Sequence, residues 1–514
     1  MLTKILSAAH FGLKTIPVEV EVNIASKGFP GFNIIGLPSK AVEEARERVK
    51  TALVNSNIKF PEAKITVNLA PADIPKEGSN YDLPIAVGIL NALEVVALPE
   101  EKSYFFGELS LDGTLRHTKG VFLLAISAKE NKIKNLFVPT DSANEAAVIK
   151  SLNVYPVTSL NDLVMHLNST KVIAKTKYVE AQDLLEEAPV EFDFSEIIGQ
   201  ESAKRALEIA CAGGHNLFMQ GPPGAGKTML ARAIPGILPP LSEDESLEVT
   251  KIYSLTGNIP PGGSLIRVRP FRVCHHTVSK IGLVGGGSDP HPGEISLAHN
   301  GVLFLDEFPE FPRSTLEALR QPLEDGIVSI ARAAGSVKFP ANFMLVAAAN
   351  PCPCGYLGDP RRECRCSPRQ IMNYQNRLSG PLMDRIDIHL NVPTVDVEKL
   401  AAMSKVKTTA EKSASIRERV IKAREIQLKR FSKDGIYNNA SMKNKHIKKY
   451  CEMADDAQLL LKQAVNNYSL SARTYFRLIK VSRTIADIAG DAKITSSHIA
   501  ESLQYRIRTQ NKFF

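Results

Sequence analysis

Residues 17–24 alternate strictly between apolar and polar side chains, the period-two pattern of a half-buried strand. Helical spacing follows over 41–54, a second alternating run over 64–69, and an apolar helical stretch over 83–93. The strand-then-helix order returns at 132–138 and 144–149, so residues 1–175 predict an α+β domain. From 172 to 194 the pattern weakens into Glu-rich sequence with a proline, which reads as a linker over 176–193.

Residues 194–395 change character: short continuous apolar runs at 216–220, 301–305 and 343–349 alternate with helical stretches. Uninterrupted apolar strands suit a parallel sheet covered on both faces, as in a three-layer α/β domain. Residues 396–514 carry helical runs at 415–431, 455–466, 471–489 and 495–509 and predict a helical bundle. The fold class expected is therefore multidomain α/β.

Composition narrows the class. A chain of 514 residues exceeds one domain, and 44% hydrophobic with 23% charged residues excludes disordered and fibrous classes. No window approaches the roughly 18 uninterrupted apolar residues of a membrane span, and no signal peptide is evident. Four of the seven cysteines crowd between Cys352 and Cys366, which argues against a disulfide framework and for a reducing, cytoplasmic setting. The formal charge is +8, but from residue 396 onward 24 Lys and Arg face 12 Asp and Glu. A basic end on an otherwise slightly acidic chain suits a polyanionic partner, with a solvated surface as the plain alternative.

The strongest chemical signal is Gly221-Pro222-Pro223-Gly224-Ala225-Gly226-Lys227-Thr228, a phosphate-loop pattern set between an apolar strand and the helical run that opens at Met229. Backbone N–H groups of such a loop cradle phosphate, its lysine reaches the β/γ oxygens, and its threonine holds Mg²⁺. The run 302–305 ends in Asp306-Glu307. Two adjacent carboxylates at a strand's end are costly unless a cation faces them, so Asp306 is expected to serve Mg²⁺ and Glu307 to polarise the attacking water.

The order of phosphate loop, Asp-Glu strand and a third strand ending at Asn350 resembles the AAA+ ATPase module. That resemblance implies further roles. The segment 194–200, with Ile198 and Gly199, lies beside adenine, and Asn350 is the sensor-1 residue. Leu382-Met383-Asp384-Arg385 resembles the arginine-finger motif, with Arg377 as the second choice, and Arg473 matches the sensor-2 position on a lid helix, with surface salt bridges the plain alternative for these arginines. A finger acting on a neighbouring subunit requires a ring, expected to be a hexamer.

Within the superfamily, Gly28–Phe32, Gly107–Gly113, His275–Gly287 and Asn350–Gly355 resemble the ComM/YifB family of magnesium-chelatase-like proteins across essentially the whole chain. The resemblance implies an ATP-driven DNA translocase that promotes branch migration on single-stranded or branched DNA during natural transformation. A chelatase-type or regulatory ATPase acting on a protein partner is the alternative. Residues 1–175 resemble the Lon proteolytic domain (ribosomal S5 domain 2-like), but Ile85 and Phe122 stand where its serine and lysine belong, so an inactive scaffold is expected. Residues 328–339 read as a β-hairpin whose Arg332 and Lys338 are candidate DNA-phosphate contacts. Cys352, Cys354, Cys364 and Cys366 are candidate ligands for Zn²⁺, with unliganded thiols the alternative, because an extended Cys-x-Cys points its thiols apart unless the chain turns, as Pro353 and Gly355 would allow. Cys274 beside His275 and His276 reads as core packing.

Overall fold

The computed structural model describes residues 2–25, 29–178, 190–287, 290–332, 335–394 and 411–510. Gly28, most of the expected linker, the tip of the hairpin and the opening of the third segment lie outside the described residues. The chain forms two compact units. The first holds residues 1–185 together with 242–267 and 331–339, and the second holds 186–241, 268–330 and 340–514.

The first unit is built on a seven-stranded mixed sheet. Its strands run, edge to edge, Gly31–Ile35, Lys64–Ala70, Lys14–Ala25, Leu2–Phe11, Ser103–Phe105, Asn135–Pro139 and Asn153–Val157. The alternating run at 17–24 becomes part of the long strand Lys14–Ala25, in which Val18, Val20 and Val22 are fully buried. Helix Asp82–Ala92 is buried along nearly its whole length, which its apolar sequence demands, and it packs on the two longest strands.

Residues from the middle of the chain complete this unit. Helix Glu243–Thr256 starts with a capping box, the Ser242 hydroxyl accepting from Glu245 N while the Glu245 side chain accepts from Ser242 N, and it ends on Gly257 at φ +70°. It packs against helix Val121–Glu130, where Ser254 accepts from Gly120 N at 2.9 Å and from Phe122 N at 3.2 Å. The Ser254 hydroxyl in turn donates to Glu145 at 2.7 Å. In the hairpin Ile327–Arg332 and Gly335–Pro340, Val337 lies so close to the Gly12 turn that a Cβ there would meet it at 2.3 Å.

The second unit carries a five-stranded sheet in the order Phe271–Cys274, Val302–Leu305, Met344–Ala349, Leu217–Gln220, Ile388–Asn391, parallel throughout. The three central strands are the apolar runs at 216–220, 301–305 and 343–349. Helices Glu201–Gly213 and Ser413–Phe431 pack over them in a core that includes Ile416, Val481 and Tyr505. The C-terminal helices Asp455–Asn467, Ala472–Ala489 and Ser496–Gln510 build a second core around Leu461, Leu478 and Leu503. No helix among the described residues is long and apolar enough to cross a membrane.

Burial pushes the Glu145 carboxyl up to about 7, against the opposing pull of the Ser254 hydroxyl. A carboxyl raised above its unfolded value holds its proton only in the folded state, so stability is full at low pH and is lost as pH climbs toward and through 7. Glu145→Gln keeps an acceptor for Ser254 and removes the charge. It is expected to stabilise the protein by on the order of 1–3 kcal/mol at pH 8 and by little at pH 4.5, read from denaturant unfolding at the two pH values.

Candidate nucleotide site

Because all strands of the second unit's five-stranded sheet point the same way, their C-terminal ends share one edge, where ligands of open α/β sheets bind. Leu217–Gln220 leads into the phosphate loop, and helix Lys227–Ala233 leaves it. Gly224 at φ +75° and Gly226 at φ +87° occupy the left-handed region that side chains with a Cβ resist. Gly221 has a different constraint, since a Cβ there would lie 2.1 Å from the Val392 carbonyl.

Lys227 is buried, and its ammonium donates to the carbonyls of Gly221 at 2.7 Å and Pro222 at 2.9 Å and to Asn350 Oδ1 at 3.1 Å. Burial lowers its pKa while the Asp306 charge opposes that shift. Beside it the Thr228 hydroxyl donates to Asp306 Oδ2 at 2.8 Å. The edge therefore brings together Lys227, Thr228, Asp306 and Asn350 from three strands. A buried ammonium held by weak carbonyl acceptors, next to a hydroxyl–carboxylate pair, fits a triphosphate and its divalent cation, since both gain stronger partners when these arrive.

The segment carrying Ile198 and Gly199 is tied to the same edge by Gln200, whose side-chain amide donates to the Pro393 carbonyl at 2.6 Å and to Ala225 O at 3.4 Å. Gln200 also sits at φ +59° and opens helix Glu201–Gly213. Its anchoring role was not read from the sequence, though its place after Gly199 was a usable signal.

Glu307 stands exposed at φ +51° immediately after Asp306, and its own N–H donates to Asp306 Oδ1 at 2.9 Å. Its carboxylate lies 3.0 Å from His276 Nδ1. Here the core-packing expectation needs correcting. Cys274 is buried at the end of its strand, but the chain then leaves the sheet, so His275 is exposed and His276 half-buried; their ligand atoms and a Glu307 oxygen all lie within 4.8 Å of one another.

Arg385 and Arg473 lie elsewhere. Arg385 precedes strand Ile388–Asn391, at the N-terminal edge of the sheet, and is buried against Glu324 while donating to the Pro381 carbonyl at 2.7 Å. Arg473 is exposed and approaches the same Glu324 carboxylate at 3.8 Å. Both line a cavity of about 470 Å³ with Asn216 and Phe343, which immediately precede the starts of two other strands. The whole length of a strand separates this cavity from the phosphate loop of the same chain. Arg377, the second choice, is half-exposed and pairs with Glu310 at 2.6 Å.

In the first unit, Ile85 and Phe122 are both fully buried core residues. Nearby Asp82 binds Arg48 through two hydrogen bonds of 2.8 and 3.1 Å, and burial pushes its carboxyl up to about 6 against that pairing. Lys338 is exposed on the hairpin, and the Arg332 side chain lies outside the described residues.

A parallel sheet with a phosphate loop, an acidic strand end and a helical C-terminal part defines a magnesium-chelatase-like AAA+ protein. Family models agree along the chain: "Subunit ChlI of Mg-chelatase" matches residues 20–142, "Magnesium chelatase, subunit ChlI" residues 193–400, and its C-terminal model residues 410–506. Competence protein ComM of Haemophilus influenzae is 45% identical over 98% of this chain and 97% of its own. Protein YifB of Escherichia coli is 43% identical over 97% and 96%, and magnesium-chelatase subunit ChlI of Olisthodiscus luteus is 26% identical over 41% and 60%. The chain belongs to the ComM/YifB family of magnesium-chelatase-like proteins.

Lys227→Ala is expected to weaken binding of a fluorescent ATP analogue at least tenfold, the loss of one charge-assisted phosphate contact. Arg473→Ala, at the far edge, should leave the affinity of the isolated subunit unchanged in the same titration.

Proposed function

We propose that this chain is an ATP-hydrolysing DNA motor that works as a ring, expected to be a hexamer, and moves branched DNA during recombination of incoming DNA. The observation that carries the ring is the separation of Arg385 and Arg473 from their own phosphate loop. Two arginines gathered on one glutamate at the opposite edge serve γ-phosphate chemistry only if a neighbouring subunit supplies the nucleotide, which makes Glu324 their resting counter-ion.

ATP with Mg²⁺ is the cofactor read for the site, with Zn²⁺ a further one on the four cysteines. The residues of this chain divide the work. Lys227 and the loop N–H groups bind phosphate oxygens, Thr228 and Asp306 hold the cation, and Asn350 and Glu307 orient the attacking water. The bound Mg²⁺ supplies charge neutralisation on the β/γ oxygens. Glu307 must turn from His276 toward the phosphate to act.

Support for DNA as the polyanion comes from the similarity to a competence protein, from the basic segment after residue 396, and from exposed Lys338 on the hairpin that also carries Arg332. The first unit is read as an inactive Lon-like scaffold, because apolar core residues hold both dyad positions. The matches to chelatase subunits favour one other reading, an ATPase that remodels a protein partner.

Glu307→Gln is expected to retain ATP binding while hydrolysis falls by two or more orders of magnitude, since the water loses its positioning group. On a labelled four-way junction at low salt, the wild-type protein with ATP should move the branch point. Replacing Arg332 and Lys338 together by alanine should abolish that movement and spare basal hydrolysis. A wild-type ring that hydrolyses ATP and leaves the junction untouched would decide for the protein-remodelling reading.

A further inference from the structure

The four cysteines lie immediately beyond Asn350, and their arrangement answers the objection that Cys-x-Cys splays its thiols. Gly355, at φ +85°, donates its N–H to the Cys352 carbonyl at 2.9 Å, closing a tight turn that brings Cys352 and Cys354 to the same side. Their sulfurs are 3.4 Å apart, and the Cys364 sulfur is 3.6 Å from each. The Cys366 sulfur accepts from Cys354 N at 3.4 Å, and all four sulfurs fall within 4.8 Å of one another. No disulfide joins them. Four thiolates around one tetrahedral Zn²⁺ at about 2.3 Å stand roughly 3.8 Å apart, close to these separations, whereas an iron–sulfur cluster places its cysteines on different irons and needs a wider set.

The knuckle is also part of the nucleotide edge. Gly355 packs on the phosphate loop so tightly that a Cβ would come 2.6 Å from the Pro223 ring and 3.8 Å from Asn350. Asn350 receives the Lys227 ammonium, and the carbonyl of the next residue, Pro351, accepts from Gln375 at 3.2 Å. A cavity of about 620 Å³, large enough for a nucleotide base and sugar, has Gly221 and Pro222 on one wall and Leu357 and Asp359 of the knuckle on another.

We propose that Cys352, Cys354, Cys364 and Cys366 bind one Zn²⁺, and that the metal-closed knuckle is the wall holding the phosphate loop and Asn350 in register, so that nucleotide affinity depends on the metal. This rests on the reading of that edge as an ATP site. Without the ion, the four thiols lose their common ligand, and the loop is left to its peptide turns and to short-range bonds such as that of Arg362 to the Tyr356 hydroxyl at 2.9 Å. The Gly355–Pro223 contact then relaxes, and Lys227 loses the fixed position of one of its three acceptors. Linkage makes the effect reciprocal: bound nucleotide must tighten the hold on zinc by the same factor.

The test uses the full-length protein purified without chelators. Elemental analysis is expected to find close to one zinc per chain and no stoichiometric iron. Cys364→Ser should lose most of that zinc and bind a fluorescent ATP analogue about tenfold or more weakly. Release of zinc from wild-type protein by a mercurial, followed with a chromogenic chelator, should slow when ATP and Mg²⁺ are present; this last measurement needs no variant to fold. Absence of zinc from the wild-type protein overturns the metal site. Metal-free Cys364→Ser with wild-type affinity, or zinc release indifferent to ATP, overturns the coupling. Wild-type protein that carries zinc and binds no nucleotide contradicts the ATP reading instead.

Discussion

The shared direction of five parallel strands is the constraint on which the second unit depends. A parallel strand buried on both faces must satisfy its backbone within the sheet and cannot present side-chain chemistry along its length. Polar residues collect where the strands stop. Gln220, Asp306 and Asn350 each follow an apolar run, and each arrives at the same edge because the runs are aligned in register. The buried Lys227 ammonium is tolerable only there, since the carbonyls and the amide that meet it exist where the ladder ends.

The same polarity forces the opposite edge to be a different place. Arg385 and Asp387 enter the last strand from its start, and Asp387 pairs with Arg477 of the lid while accepting from Asn216 N at 3.1 Å. A subunit thus carries an anion-binding edge and a separate arginine-bearing edge. In the proposed ring such a pair of unlike surfaces would meet in a heterologous contact, the kind that closes into rings.

Legibility in the sequence followed burial and spacing. The three central strands were readable because both faces are covered and the runs are continuously apolar. The flanking strands Phe271–Cys274 and Ile388–Asn391 escaped notice: the first puts half-buried Arg272 and exposed Val273 between Phe271 and buried Cys274, and the second includes His389. Motif spacing located Lys227, Thr228, Asp306 and Asn350. It could not locate the approach of His276 to Glu307, because the two sit 31 positions apart and meet only when neighbouring strands bring their ends together. The cysteine turn was legible in outline, since Pro353 and Gly355 stand where a turn gathers the thiols, and the structure closes it there with Gly355 in the left-handed region.

Helix Glu243–Thr256 and residues 331–339 belong to the first unit although they are encoded inside the second. During synthesis, then, the first unit cannot be finished when residue 185 leaves the ribosome. Until the later segments emerge, the face of helix Val121–Glu130 that receives Ser254 stays open, and Glu145 lacks its hydroxyl partner. By that time the phosphate-loop strand is already out. The two units must therefore mature together, and a chain cut between them yields two incomplete folds instead of two domains.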